Sequence, residues 1–290
     1  GGMSSIEAEA APAAQAGGDA EEARRLRRAR VERAARWALP LAVMVAAIWL
    51  WGRIVVWNDI PHYILPGPGR VWASLTGDWA ILSEAAVLTA KITLMALGLA
   101  IVGGAGLAIL FNQSKLLELS LYPYAVILQV TPVVSIAPLI FIYVESKTAG
   151  MLLCAWIVAF FPVLSSTTLG LKSVDHNLRD LFSIYGATRW QKLWLLQIPS
   201  ALPYFLGGLK IAGGLSLIGA VVAELVAGTG GVGAGLAARI QEAGYRLNIA
   251  RMFAALAMIA AMGVILFAAL SLISHLMLRR WHESALSRER

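Results

Sequence analysis

The chain has 290 residues, of which 59% are hydrophobic and only 14% charged, and its mean hydropathy is +0.71. An ordinary soluble domain has about 25% charged residues, so this composition excludes a soluble globular protein and indicates a membrane protein. The net charge of +7 does not indicate a partner nucleic acid, because the basic residues flank apolar runs and form no patch of their own. The single cysteine, Cys154, excludes an intramolecular disulfide.

The N-terminal segment, residues 1–36, is predicted to be a disordered tail with a basic end. Its first part is rich in Ala, Glu and Gly, which cannot build a core. Seven arginines follow between residues 24 and 36. They are typical either of a basic helix on anionic headgroups or of a flexible juxtamembrane anchor, so lipid contact is expected in both cases.

Six apolar runs then reach the length of about 20 residues that crosses a bilayer. They cover residues 37–57, 82–111, 117–144, 148–171, 199–227 and 249–278. Residues 58–78 are rich in Pro and Gly and leave room only for a short interfacial helix around 71–75. We therefore predict an all-α, polytopic membrane helix bundle of about six transmembrane helices over residues 37–280, with a C-terminal tail, residues 281–290. Pro132 and Pro138 predict a kink in the third span.

The distribution of Lys and Arg predicts the orientation. Six spans place both termini on one side of the membrane, and that side would hold sixteen basic residues against six on the other. Loops rich in Lys and Arg stay in the cytoplasm, so both termini are expected to be cytoplasmic.

The longest interruption on that side, residues 173–197, has a pattern of its own. Apolar residues recur with helical spacing, Gly186 permits a turn, and a second apolar stripe precedes Pro199. The stripes consist of Leu178, Leu181, Phe182 and Tyr185, then Trp190, Leu193 and Trp194. The pattern predicts two short helices, which either project toward a partner's groove or rest on the chain's own helices or the headgroups.

These residues carry a family resemblance. Tyr185-Gly186-Ala187, followed by Ile198-Pro199 and Pro203, resembles the coupling loop of ABC importer permeases, although Asp180-Leu181-Phe182 stands in place of its Glu-Ala-Ala portion. Further stretches resemble the nitrate/sulfonate/taurine branch over about residues 60–280. They are Leu65-Pro66-Gly67-Pro68 with Val71, Thr131-Pro132, Ala137-Pro138-Leu139, Gly208-Leu209-Lys210-Ile211, Ala223-Glu224-Leu225 and Gly231-Val232-Gly233. The segment 143–147 departs from the branch pattern Trp-Phe-Gly-x-Gly.

The resemblance implies the type I importer permease fold and a transport subunit in a bacterial inner membrane. It implies a homodimer, two cytoplasmic ATP-binding-cassette ATPase subunits, and a periplasmic or lipid-anchored substrate-binding protein. ATP and Mg would bind to the ATPase and no cofactor to this chain, in agreement with the lack of a G-x-x-x-x-G-K-[ST] sequence. The solute would be small and anionic, like nitrate, sulfonate or taurine, or a related organic compound. The implied ATPase-coupling residues are Leu181, Phe182, Tyr185, Gly186, Ala187, Arg189, Trp190 and Pro199.

Polar residues within the spans are candidates for the translocation pathway. They are Lys91, Gln129, Thr131, Ser135 and Glu224. A charge within the bilayer needs a partner or water, so Lys91 and Glu224 either line the pathway, form an ion pair, or snorkel. The other three either hydrogen-bond a solute or hold helices together.

Two other classes of function are alternatives to an importer. Ser216 and His275 lie on different spans, as in intramembrane proteases, but at depths that differ by about 10 Å. No cluster has metal-ligand spacing, so no catalytic or metal site is expected. An ion-driven secondary transporter usually has two related halves, and the sequence has no clear internal repeat.

Overall fold

The computed structural model describes Glu32, Ala35, Arg36, residues 38–228 and residues 233–282. Residues 280–282 are described by their backbone only. The predicted tails, 1–36 and 281–290, therefore lie largely outside the described residues. The chain consists of two compact units, residues 1–68 and residues 69–290, which are described separately.

The first unit contains one apolar helix, α1 (Ala38–Trp57), long enough to cross a membrane. This confirms the first predicted span. Near its end, the Arg53 guanidinium lies over the rings of Trp49 and Trp57, at 5.7 and 4.9 Å from their centroids. Such cation–π contacts suit a helix end at the headgroup level, where tryptophan and arginine both find water and apolar surface.

The remaining helices follow in chain order: α2 (Pro68–Gly77), α3 (Trp79–Gln113), α4 (Lys115–Val130), α5 (Val133–Tyr143), α6 (Lys147–Lys172), α7 (His176–Ile184), α8 (Arg189–Lys192), α9 (Ile198–Ala227), α10 (Leu236–Tyr245) and α11 (Ile249–His282). Among the described residues, five helical segments can cross a membrane by length and composition, or six when the bent pair α4–α5 counts as one span. No strand occurs in the described residues. The predicted all-α fold with about six spans is confirmed.

Helices α3, α6 and α9 form the centre of the larger unit, and small residues let their backbones approach closely. A Cβ atom on Gly208 of α9 would lie 2.5 Å from the Ser166 Cβ and 2.8 Å from the Pro162 carbonyl oxygen of α6. A Cβ on Gly104 of α3 would lie 3.0 Å from the backbone nitrogen of Leu164. Close backbone contact at glycines is the usual way in which helices gain packing energy in lipid.

The predicted third span is not one kinked helix. Helices α4 and α5 meet at an angle of 102°, and the two residues between them, Thr131 and Pro132, have extended backbones. Proline has no N–H and disfavours a helical conformation in the residue before it, so Thr131-Pro132 ends one helix instead of bending it. Pro138, in contrast, lies inside α5.

Two other boundaries differ from the prediction. The fifth span begins ten residues before Pro199, because helical backbone runs from Arg189 through a π-turn at Leu193–Gln197 into α9. The helix α10 was not predicted at all. Its apolar pattern is short and follows directly on a glycine-rich stretch of the sequence. The N-cap position is occupied by Gly235, so no capping side chain marks the start of the helix.

Candidate functional site

The segment between α6 and α9, residues 173–197, folds as two short helices that we call the elbow segment. The Asp175 side chain caps α7 and accepts a hydrogen bond from the Asn177 N–H at 2.7 Å. Thr188 and Gln191 form a capping box at the start of α8, in which each side chain accepts a hydrogen bond from the other residue's N–H. These caps satisfy N–H groups that a helix cannot satisfy itself, so they hold both helix ends in place.

Gly186 forms the turn of the elbow segment. Its φ is +69°, a left-handed conformation that costs other residues about 1–2 kcal/mol. Across the turn, the Ala187 N–H donates to the Phe182 carbonyl oxygen at 2.9 Å, and the Lys192 Nζ donates to the Ser183 Oγ at 2.8 Å. The turn predicted at Gly186 is therefore present, and the two short helices are tied together.

One face of the elbow segment is anchored to the rest of the unit. Val174, Leu193 and Leu196 are buried. At its far end the Asn112 Nδ2 of α3 donates to the Gln197 Oε1 at 2.6 Å. The elbow segment is therefore attached to the rest of the unit at both of its ends.

The other face is apolar and uncovered. Tyr185 is 82% exposed and Trp190 is 64% exposed. Leu181, Gly186 and Arg189 are exposed too, while Phe182, Ala187 and Pro199 are half-buried. Exposed residues that continue this face are Leu178, Ile184, Trp194 and Leu195. Of the predicted apolar stripes, Leu193 rests on the described part of the chain and Phe182 does so in part. The other residues of the stripes form a surface suited to another molecule.

A second cluster surrounds Glu224 near the opposite end of α9. The Glu224 side chain is buried, with 1% of the residue exposed. Its Oε1 accepts a hydrogen bond from the Thr89 hydroxyl of α3 at 2.7 Å, and its Oε2 accepts one from the Ala237 N–H of α10 at 2.9 Å. The Thr89 oxygen also accepts a bond from the Leu236 N–H at 3.0 Å. The carboxylate therefore fastens the start of α10 to α3 and α9.

This end of the unit also carries two groups of charged residues, of which Asp78, Arg239, Glu242 and Arg246 lie outside the spans and Arg251 lies in the first turn of α11. The Arg251 guanidinium of α11 donates two hydrogen bonds to Asp78, at 2.8 and 2.7 Å. The hydrogen bond from Arg251 is the main reason that the pKa of Asp78 lies below its ordinary value. Arg239 and Arg246 flank Glu242 at 2.8 and 3.0 Å. The hydrogen bond from Arg239 is the main cause that lowers the Glu242 pKa.

A cavity of about 400 Å³ opens beside the α4–α5 break. Gln129 and Thr131, two of the predicted pathway residues, lie in its wall together with aliphatic side chains of α5, α6 and α9. Ser135 is exposed on α5 and Lys91 is exposed on α3, both outside this lining. Glu224 is enclosed by the partners described above. The structure thus brings together two of the five predicted pathway residues.

The two residues that could suggest an intramembrane enzyme do not form a site. The Ser216 hydroxyl is buried and donates to the Gly213 carbonyl oxygen at 2.8 Å, whereas His275 is exposed. Among the described residues, no three His, Cys, Asp or Glu side chains are placed to hold a metal ion.

Comparison with known proteins identifies the kind of membrane protein. Residues 100–279 match the family model described as the binding-protein-dependent transport system inner membrane component. The chain belongs to this family. The permease is 31% identical to a riboflavin transport system permease protein of Chloroflexus aurantiacus, over 85% of this chain and 90% of that protein. It is 27% identical to a taurine transport system permease protein of Escherichia coli, over 84% of this chain and 90% of that protein.

A solved structure supports the fold. A chain in the crystal structure of an amino acid ABC transporter with histidines aligns with a TM-score of 0.58 and 18% identity, over 72% of the permease and 97% of that chain. The permease is therefore the transmembrane subunit of an ABC importer, not an enzyme, and the ATPase is a separate subunit. An importer of this family also has a substrate-binding protein as a partner. Membership of this family excludes the two alternative functions, an intramembrane enzyme and an ion-driven secondary transporter.

Proposed function

We propose that the permease works as a homodimer in a bacterial inner membrane, with the elbow segment and both termini in the cytoplasm. Each elbow segment docks on one of two ATPase subunits, which bind ATP and Mg. A periplasmic or lipid-anchored binding protein delivers the solute on the opposite side. In this arrangement residues 37–280 form the transport domain, and residues 1–36 and 281–290 are cytoplasmic tails, the first in contact with headgroups.

The observation that carries this proposal is the uncovered apolar face of a helical hairpin whose two ends are packed on the unit. Tyr185 and Trp190 project from it with most of their surface exposed, and aromatic side chains of this kind dominate the binding energy of protein interfaces. Leu181 and Arg189 extend the same surface. The Ala187 N–H and the Phe182 carbonyl oxygen are hydrogen-bonded across the turn, and Gly186 provides its positive φ.

A continuous helical backbone connects the docking surface to the wall of the cavity. The second helix of the elbow segment continues into α9, with Pro199 in the first turn of that helix. Helix α9 contributes Leu215, Ile218 and Val222 to the wall of the cavity at the α4–α5 break. Closure of the ATPase dimer would therefore shift a wall of the cavity directly, without any flexible connection in between.

The solute is proposed to be a small molecule of the kind that the relatives' names describe. Those names include riboflavin, an uncharged organic compound, and taurine, a smaller compound with a sulfonate group. The anionic solute expected from the sequence remains one proposal within this range.

The decisive experiment replaces one of two tryptophans. Trp190 is 64% exposed on the elbow segment, and Trp72 is 66% exposed on α2. When the tagged permease is co-purified with its ATPase, we expect Trp190→Ala to lower the retained ATPase at least tenfold, since such an anchor contributes about 2 kcal/mol or more. Trp72→Ala should leave the amount unchanged.

The same two variants also separate docking from lipid anchoring. If Trp190 rests in the headgroups, both variants retain the ATPase equally and the proposal is wrong. ATP hydrolysis of the reconstituted importer provides a second reading, because a permease that has lost its docking surface no longer stimulates hydrolysis when the solute-loaded binding protein is added.

A further inference from the structure

We propose that the cavity at the α4–α5 break binds the transported solute, and that it accepts an uncharged organic molecule with an apolar body and an amide-like edge. This inference rests on the proposed import function and names the class of solute for it. The cavity of about 400 Å³ lies within the range of about 300–1,000 Å³ typical of small-molecule sites.

The lining of the cavity is aliphatic apart from two polar side chains. Leu128, Val134, Ile157, Leu215, Ile218 and Val222 supply most of its surface, and the polar groups are the Gln129 amide and the Thr131 hydroxyl. No Lys, Arg, His, Asp or Glu belongs to this lining. Such a wall gains free energy from an apolar solute body, at roughly 25 cal/mol for each Å² of surface removed from water.

The break between the helices leaves backbone groups of the lining residues without a partner in their own helix. Pro132 and Pro138 have no N–H, so the carbonyl oxygens of Leu128 and Val134 lack the donor that a helix normally provides four residues later. The first N–H groups of α5, on Val133 and Val134, have no acceptor within their own helix. Together with the Gln129 amide, which carries both a donor and an acceptor, these groups are partners for the N–H and C=O pair of an amide or imide.

The charge of the two helix ends argues for a neutral solute. The end of α4 carries a partial negative charge and the start of α5 a partial positive charge. Because both ends meet at Thr131-Pro132, their fields largely cancel at the cavity. No cationic side chain of this lining could pair with a bound anion, and Lys91, the basic residue predicted to serve an anion, is exposed on α3 and does not belong to the lining.

Gln129 is exposed beside the cavity, and we expect water, not lipid, around its amide. Within the described residues its amide makes no hydrogen bond to the protein. The Thr131 hydroxyl donates to the Ile127 carbonyl oxygen at 2.6 Å and keeps its lone pairs for another donor. Unpaired amide and backbone groups at membrane depth are tolerated where they line a water-filled cavity, and not where they face hydrocarbon.

The test uses the complete permease–ATPase complex in lipid nanodiscs and riboflavin as the probe. Binding is followed by the quenching of riboflavin fluorescence, with taurine and nitrate as competitors. We expect saturable riboflavin binding that neither anion displaces. Gln129→Leu, which removes both hydrogen-bonding groups, should weaken binding about tenfold. Gln129→Glu, of the same size but charged, should weaken it at least as much, and Gln113→Leu at the end of α3 should not change it.

A second measurement reports what occupies the cavity. A cysteine introduced as Val134→Cys, with Cys154→Ala to remove the native thiol, should react with a membrane-impermeant maleimide and be protected by riboflavin. Reaction only with a lipid-soluble maleimide, or spontaneous cross-linking between two copies, would mean that lipid or a second permease fills the cavity, and would overturn the proposal.

The inference also fails if taurine or nitrate displaces riboflavin, if riboflavin does not bind, or if Gln129→Leu and Gln113→Leu bind it equally. Retention of the ATPase, measured in the same preparations, separates these failures from failure of the importer function. A preparation that retains its ATPase but does not bind riboflavin contradicts the solute class alone.

Discussion

Substitution of Glu224 tests the buried hydrogen bonds that fasten α10 to the spans. The two carboxylate oxygens accept bonds from the Thr89 hydroxyl and the Ala237 N–H, at 2.7 and 2.9 Å. In Glu224→Leu both acceptor oxygens are removed. The Thr89 hydroxyl keeps the Ala85 carbonyl oxygen as an acceptor, at 3.1 Å, but the Ala237 N–H is left without one, which costs about 1 to 3 kcal/mol.

Hydrogen exchange of the peptide that covers α10 measures this loss locally. We expect the amides of Leu236 and Ala237 to exchange faster in Glu224→Leu, about tenfold for every 1.4 kcal/mol. The matched control is Glu84→Leu, because Glu84 is exposed on the same helix as Thr89. Equal exchange rates in the two variants would show that the carboxylate does not hold α10, and the reasoning would be refuted.

Two further predictions use pairs of like residues. Gly208→Ala places a Cβ 2.5 Å from the Ser166 Cβ, whereas Gly207→Ala meets nothing within 4 Å, so thermal unfolding in detergent should show a loss of about 1–3 kcal/mol for the first only; equal midpoints would contradict the close α6–α9 contact. Asp78→Asn should destabilise the permease at pH 7 and Asp180→Asn should not. Because the pKa of Asp78 is lowered in the folded state, its contribution is fully present above the ordinary aspartate pKa of about 4 and is lost as the pH falls through the folded value. The difference between wild type and Asp78→Asn should therefore shrink below pH 4, and a difference that grows there would contradict the ion pair with Arg251.

The spans could be predicted because the bilayer imposes a simple rule on the sequence. About 20 predominantly apolar residues with few charges must follow one another, and each of the five long helices satisfies this rule. The turn at Gly186 was predicted for a similarly local reason, since glycine permits the positive φ that the turn has. Local signals of this kind need no knowledge of the rest of the fold.

The sharp break at Thr131-Pro132 was only partly predictable. Proline inside an apolar run indicates a disturbance, but Pro123, Pro138 and Pro162 are accommodated within helices. The difference lies in packing. Neighbouring helices determine whether the carbonyl group that a proline leaves without a donor is accommodated in a continuous helix or whether the helix ends there. A single sequence does not contain that information.

The cluster around Glu224 was not predictable as an arrangement. Thr89 lies 135 residues from Glu224 in sequence, and nothing in an apolar run marks one threonine as the partner of a distant carboxylate. The sequence pointed instead to Lys91, two residues further along α3. In a helix, those two residues face directions about 200° apart, so Thr89 is buried and Lys91 is exposed.

The unbroken helical run from Arg189 to Ala227 sets a constraint on how the sequence can change. It contains 39 residues, so it is about 58 Å long, and each residue adds about 100° of rotation. Deletion or insertion of one residue near its middle would rotate Leu215, Ile218 and Val222 by that angle relative to Trp190. The number of residues between Trp190 and the cavity wall therefore fixes the angle between the two surfaces. We expect insertions and deletions here to reduce transport far more than substitutions do.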